Sequence, residues 1–196
     1  MHHYSLKFIF VTVLINLFVP GTLLANDEAW QSLRDGKAVA IMRHAIAPFD
    51  VDNSGLTRDA CKEERNLSQE GRDQAVKIGD LFRANGVMQP KVYSSKLCRC
   101  IDTAILLGFD APTVLPLITS YYLQQDVDGS AQTEDLKKWI KNQTTQASAT
   151  NILVTHGVNI KDLLGESGYA SQGEILILSI ENNEVVVLLR VSADPY

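Results

Sequence analysis

The stretch "AVAIMRHAIAP", residues 38–48, decides how the chain is read. Ala38 to Met42 is a run of small and branched apolar side chains, the pattern of a strand buried on both faces of a sheet. The run stops at Arg43 and His44. Burying an unpaired charge is costly, so ionisable side chains at a strand end must face a cavity or water. The stretch therefore places a candidate site at the tip of a strand.

Strand and helix signals alternate outward from it. Asp27–Asp35 reads as a short helix closed by Gly36, and Lys37–Arg43 as the first strand. Residues 44–66 form a long polar loop. Ser68 can cap a helix that runs to about Asn85, with Ala75, Ile78, Gly79, Leu81 and Phe82 at helical spacing. Lys91–Ser94 is a second strand, Leu97–Leu107 a helix, and Thr113–Leu115 a third strand. Residues 118–131 read as irregular, and Thr133 can cap a helix through Asn142. Asn151–Thr155 is a fourth strand, and Gly157 opens a helix ending near Gly165. "EILILSI" and "VVVLLRV" flank "ENNE" at residues 181–184, a hairpin signal. The alternation implies an α/β fold: a three-layer α/β/α sandwich with a mostly parallel sheet and a C-terminal β-hairpin.

In such sheets ligands bind beyond the carboxyl ends of the strands. Arg43 and His44 close the first strand, Arg99 lies in the first turn after the second, and His156 closes the fourth. Three separate segments thus deliver two arginines and two histidines to one sheet edge. Guanidinium forks match the oxygens of a phosphate or carboxylate. The helix N-termini near Arg99 and Gly157 add amide donors for an anion. An imidazole among cations is held neutral, and a neutral imidazole is a nucleophile. Neighbouring arginines repel a cation, so the set is read as an oxyanion site and not as a metal centre.

Composition sets bounds. The chain has 196 residues and 45% hydrophobic content, ordinary for one domain. Its net charge is −5 with no basic block, which argues against a nucleic-acid partner. Lys7 precedes the apolar run "FIFVTVLINLFV", residues 8–19, followed by "PGTLLA" up to Ala25. That pattern reads as a signal peptide over residues 1–25, with the functional domain at 26–196. A membrane-spanning helix needs about 20 apolar residues. This run is shorter and carries Asn16, so an uncleaved anchor is the competing reading, and no stable membrane span is expected after cleavage. Cleavage removes Lys7 and no acid, moving the charge to −6, and leaves His44 and His156 as the only histidines. The expected location is periplasmic or secreted, where disulfides persist. Cys61, Cys98 and Cys100 leave one thiol over. Cys61 is expected to bridge Cys98 or Cys100, with Cys98 favoured, and three buried thiols are the alternative.

Four blocks in order carry a family resemblance. "IMRHA" (41–45) resembles the R-H-G signature of the histidine phosphatase superfamily, branch 1, the phosphoglycerate-mutase-like phosphatases, in an exported bacterial-type member. "RNLSQEGRDQA" (65–75) is similar to its L-T-x-x-G-x-x-Q-A helix start, and "YSSKLCRCIDTA" (93–104) to its S-S-x-L-x-R-x-x-x-T-A block. "LVTHGVNI" (153–160) resembles the second-histidine block. Ala45 stands where the family usually has glycine.

The resemblance implies a phosphatase acting through a phosphohistidine on His44. Arg43, Arg99 and His156 would hold the phosphoryl group, with no metal or organic cofactor. Family phosphomonoesterases protonate the leaving alcohol with an acid from the loop after the third strand. Asp126 is the residue assigned to that role, ahead of Asp128 and Glu134, although no recognisable motif surrounds any of them. Without such an acid, a phosphoramidate or acyl phosphate would be the better substrate, since it leaves more readily. The expected partner is a phosphorylated small molecule, glycan or protein. The alternatives are a phosphoglycerate-mutase-type phosphotransferase and a non-catalytic module that binds phosphate or phosphoprotein.

Overall fold

The computed structural model describes residues 21–49, 61–123, 127–147 and 149–192. Its strands are β1 (Val39–Arg43), β2 (Lys91–Ser94), β3 (Thr113–Val114), β4 (Asn151–Thr155), β5 (Ile175–Glu181) and β6 (Glu184–Val191). They form one six-stranded sheet in the order β3-β2-β4-β1-β5-β6. The first four in this order run parallel, and β5 and β6 are antiparallel additions at one side. The hairpin turn is Asn182-Asn183, with φ of 49° and 71°. Two left-handed residues match the right-handed twist of the flanking strands, and asparagine tolerates that conformation better than most side chains.

The helices are α1 (Gly21–Arg34), α2 (Gln69–Ala84), α3 (Cys98–Leu106), α4 (Gly129–Gln146) and α5 (Gly157–Leu164). The apolar strands alternate between two cores, as period-two geometry requires. Ala38, Ala40, Met42, Ile152 and Val154 pack against Trp30 and Leu33 of α1, Phe82 of α2 and Ala104 of α3. Val39, Ile41 and Leu153 face Leu136 and Ile140 of α4 and Ile160 of α5. Both faces of the sheet are therefore covered, which is why β1 reads as a continuous apolar run. Truncating a fully buried strand residue such as Ile41 to alanine is expected to cost about 2–5 kcal/mol.

Two helix starts show what local chemistry decides. Ser68 caps α2, its hydroxyl accepting from the Gly71 amide at 3.1 Å. Gly71 itself packs on backbone: a Cβ there would lie 2.0 Å from the Ile46 carbonyl oxygen, so only glycine lets α2 sit against the segment leaving β1. The start expected at Thr133 is corrected. Helix α4 begins four residues earlier, capped by Asp128, whose carboxylate accepts from the amides of Ser130 and Ala131. Thr133 lies inside the helix and donates its hydroxyl to the Gly129 carbonyl. Aspartate and threonine are both good caps, and the longer helix includes Gln132, which is buried and donates to the carbonyls of Leu117 and Thr119. Helix α1 likewise begins before the expected Asp27, at Gly21.

Candidate active site

The parallel pairing of β1 with β4 puts Arg43 opposite Thr155. The next residues on each strand, His44 and His156, therefore emerge side by side. The His44 amide continues the ladder by donating to the Thr155 carbonyl at 2.9 Å, and the two imidazole centroids lie 5.6 Å apart. On the other side of β4, the Ser95 amide donates to the Val154 carbonyl at 3.0 Å. The Ser95 hydroxyl thereby reaches Nε2 of His156 at 2.8 Å. Arg99, in the first turn of α3, approaches Nδ1 of His156 at 3.3 Å. Strand order thus brings together all four residues of the sequence-derived set, which are separated by up to 113 positions along the chain.

The orientation of His44 is set by its own neighbour. Nδ1 lies 2.8 Å from the Ala45 carbonyl oxygen. A carbonyl can only accept, so this contact assigns the proton to Nδ1 and leaves the lone pair on Nε2. Nε2 in turn lies 3.3 Å from Nη2 of Arg65. The residues around this segment hold it in place. The Ala45 amide donates to Thr103 Oγ1 at 3.0 Å, and the Ile46 amide donates to Gln74 Oε1 at 3.1 Å. Gln74 also donates to the Gln172 carbonyl. Thr103 and Gln74, the threonine and glutamine of two of the motif blocks, are thus straps on the strand exit and not reactive groups.

These side chains border a cavity of 440 Å³ together with Lys161, Tyr169 and the first residues of α5. Four cations line it (Arg43, Arg65, Arg99 and Lys161), and no carboxylate is among the described residues that do. His44 and His156 are only 1% and 4% exposed. Burial, followed by the charges of His156, Arg99 and Arg43, holds the His44 imidazole well below its ordinary range, although the Ala45 carbonyl pulls the other way. Burial and the charges of Arg99, Arg65 and Arg43 bring His156 down to about 3. Both rings are therefore neutral at physiological pH. Nε of Arg43 and Nε of Arg99 are buried without a hydrogen-bond partner. Buried donors left unpaired in a cationic cavity are what an oxyanion would satisfy. Among the described residues no three His, Cys, Asp or Glu side chains gather around one point where a metal ion could sit.

Arg65 is the site residue that sequence reading missed. It lies in the polar loop with no periodicity to mark it. The structure explains its placement. Cys61 is bridged to Cys98 at the start of α3, so of the alternatives for the cysteines the bridge to Cys98 is the one present. The Glu64 carboxylate accepts from the Cys98 amide at 2.8 Å, and Asn66 donates to the carbonyls of Cys61 and Glu64. The loop is thus pinned to the helix that carries Arg99, and Arg65 points the same way. A cysteine four residues before an arginine that opens a helix-start motif was the available signal.

Cys100 is a free, fully buried thiol 3.5 Å from Nε2 of His156, and burial pushes it up to about 12. Of the candidate acids, Asp128 is spent on the α4 cap, and Glu134 pairs with Lys137 at 2.8 Å on a different cavity. Asp126 lies outside the described residues.

No protein-family model and no curated protein matches the chain. Solved structures do. The protein histidine phosphatase SixA complexed with tungstate aligns at TM-score 0.56 and 20% identity, covering 80% of this chain and 97% of that one. A phosphoserine phosphatase of Entamoeba histolytica in complex with phosphoserine aligns at TM-score 0.56 and 17% identity, with the same coverage. At these identities the likeness concerns the fold: the chain has the α/β architecture of those phosphatases.

Proposed function

We propose that the chain is a member of the histidine phosphatase superfamily and hydrolyses a phosphorylated substrate through a phosphohistidine on His44. The observation that carries this reading is the 2.8 Å contact between Nδ1 of His44 and the Ala45 carbonyl. Nδ1 of His44 is committed to the Ala45 carbonyl, so the Nε2 lone pair faces a cavity ringed by guanidinium groups. In the reaction, Nε2 attacks phosphorus while the bond from phosphorus to the leaving atom breaks, and the leaving group departs with the electron pair. Water then attacks the phosphoryl group, the P–N bond breaks, and inorganic phosphate and free His44 are released. Arg43, Arg65 and Arg99 neutralise the charge on the phosphoryl oxygens, and the neutral, buried His156, accepting from Arg99 at Nδ1 and held by Ser95 at Nε2, positions the Arg99 guanidinium beside them.

The favoured substrate in this reading is one whose leaving group needs little help from an acid, such as a phosphoramidate or acyl phosphate, since neither Asp128 nor Glu134 lines the cavity. The likeness to a structure named as a protein histidine phosphatase supports the same class. A phosphomonoester with Asp126 as proton donor is the second form of the reading. The two separate on one measurement: Asp126→Asn slows alkyl phosphates far more than acyl phosphates only if Asp126 donates the proton.

Export forms part of the proposal. Residues 1–25 act as a signal peptide and 26–196 as the periplasmic or secreted phosphatase domain. The Cys61–Cys98 bridge supports an oxidising compartment. The α1 residues that enter the core, Ala29, Trp30 and Leu33, all follow Ala25, so cleavage there keeps that packing. Mass spectrometry of the exported protein should find Asn26 as its first residue.

The central test is turnover of acetyl phosphate and of an aryl phosphate by the wild type and by His44→Ala, with and without chelator. Chelator-resistant turnover that disappears in the variant is the expected result. Full activity in His44→Ala overturns the mechanism, and tight phosphate binding without turnover favours a binding module.

A further inference from the structure

A second cavity, of 410 Å³, opens directly beside the first. Arg43, Arg65 and Tyr169 line both, so the two adjoin. Phe49, Ser171 and Gln172 belong to the second alone. Two of its walls are aromatic rings left in solvent: Phe49 is 90% exposed and Tyr169 73%. Single exposed aromatics are unremarkable on a protein surface. Two on one cavity, adjoining a nucleophile, are a different matter.

Arg65 ties the two spaces together. Its Nη2 lies 3.3 Å from Nε2 of His44, and its guanidinium carbon lies 4.5 Å from the Phe49 ring centroid. The guanidinium that faces the reacting nitrogen is thus stacked on the wall of the neighbouring cavity, in cation–π geometry. The second cavity is therefore bounded by a phenyl ring, a phenol ring and a planar cation. All three are flat π groups, and such groups bind a flat ring better than a saturated one of equal size. Arg43 and Arg65 give it positive charge, and no carboxylate is among the described residues lining it, so a cationic group is disfavoured there.

Building on the phosphatase reading of the first cavity, we infer that the second cavity is the leaving-group subsite and selects substrates whose phosphoryl group is carried by a neutral or anionic aromatic ring. Phe49 and Tyr169 set that preference. Phe49 also acts as a positioning residue that holds Arg65 toward His44.

The test uses non-hydrolysable probes, so that it does not depend on turnover. Affinities of benzylphosphonate and cyclohexylmethylphosphonate, similar in bulk and charge and different in flatness, are measured by calorimetry on the disulfide-intact protein. The wild type is expected to bind the benzyl compound about fivefold more tightly. Phe49→Leu and Tyr169→Leu, which keep apolar bulk and lose the ring, should each bring the ratio toward one, while Phe49→Tyr should retain it. Adding a 4-aminomethyl group to the benzyl ring should weaken binding. Equal affinities in the wild type, or a preference that survives in both leucine variants, overturn the subsite. Acetyl phosphate, which has no ring, keeps the two readings apart. His44-dependent turnover of acetyl phosphate with no discrimination between the phosphonates removes only the subsite. Failure to bind inorganic phosphate or either phosphonate removes both.

Discussion

Two cavities of nearly equal size lie at different places on this molecule. One, of 460 Å³, is lined by Tyr121, Thr133, Glu134, Lys137 and Asp162 between α4 and α5. The other, of 440 Å³, holds His44, His156 and the arginines. In the first, each charged group has a partner close by: Lys137 pairs with Glu134 at 2.8 Å, and the Asp162 carboxylate accepts from the Tyr121 hydroxyl at 2.7 Å. In the second, four cations face buried neutral imidazoles, and two guanidinium Nε atoms are unpartnered. Volume does not distinguish them. Uncompensated charge does: Arg43 at the end of β1, Arg99 on α3, Lys161 on α5 and Arg65 in the bridged loop face one space, and leaving like charges together costs free energy that a ligand of opposite charge offsets.

The comparison breaks most directly at His44, the proposed nucleophile. His44→Ala is expected to lower turnover of acetyl phosphate by at least about 10³-fold, whereas Glu134→Gln in the other cavity should change it by less than about twofold. Steady-state rates on the purified variants decide this. Equal losses in both would mean that charge imbalance does not mark the site.

Arg99→Ala and Arg65→Ala come next, each expected to cost about 10²-fold in kcat/KM through lost stabilisation of phosphoryl charge. Arg65→Lys should recover only part of the loss, since an ammonium cannot reproduce a planar fork stacked on Phe49. A full recovery would show that charge alone matters.

Removing the disulfide sharpens the role of the pinned loop. Cys61→Ser with Cys98→Ser should lower stability by roughly 2–4 kcal/mol, since the bridge closes a sequence separation of 37 residues. Thermal melts would record this as a Tm drop of about 5–15 °C. If the bridge positions Arg65, phosphate affinity should also fall at temperatures where the variant is still folded.

The pH response is the smallest effect. Both imidazoles are depressed in the folded state, His44 well below 6.5 and His156 to about 3. As pH falls below 6.5 the unfolded chain gains protons that the folded chain refuses. Stability contributed by the neutral rings is therefore complete above about pH 6.5 and declines below it. The slope approaches about 1.4 kcal/mol per pH unit for each histidine, and for His156 it continues until about pH 3. Denaturant titrations between pH 7 and 5 measure it. Over the same interval kcat/KM should show no acid limb at the ordinary histidine range, because burial and the neighbouring charges hold the His44 imidazole of the free protein well below it. An acid limb centred near 6.5 would contradict the buried, neutral state of His44.

Much of this site was legible in the sequence, for reasons that can be traced. A strand buried on both faces must be apolar throughout, so the break at Arg43-His44 was visible without coordinates. The same holds for Thr155-His156 and for the arginine in the first turn of α3. Where the reading faltered, the information was not local. Cys98 and Cys100 stand two positions apart, about 200° around a helix. One therefore faces the loop and bridges Cys61, while the other points into the core beneath His156. Spacing alone shows that they diverge but not which one meets Cys61. Arg65 stands in one of the motif blocks yet was not assigned to the site for the same reason: its place depends on a bridge and a carboxylate–amide contact made across more than thirty residues.

By itself the sequence determined the order of strands and helices along the chain and which polar residues close β1 and β4, because burial patterns are written in neighbouring residues, whereas it did not determine the starts of α1 and α4. Only the tertiary structure decided that β4 lies between β1 and β2, which sets His156 between His44 and Ser95 and brings three arginines around one cavity. Strand order and loop docking arise from contacts between residues far apart in the chain, and no local pattern encodes them.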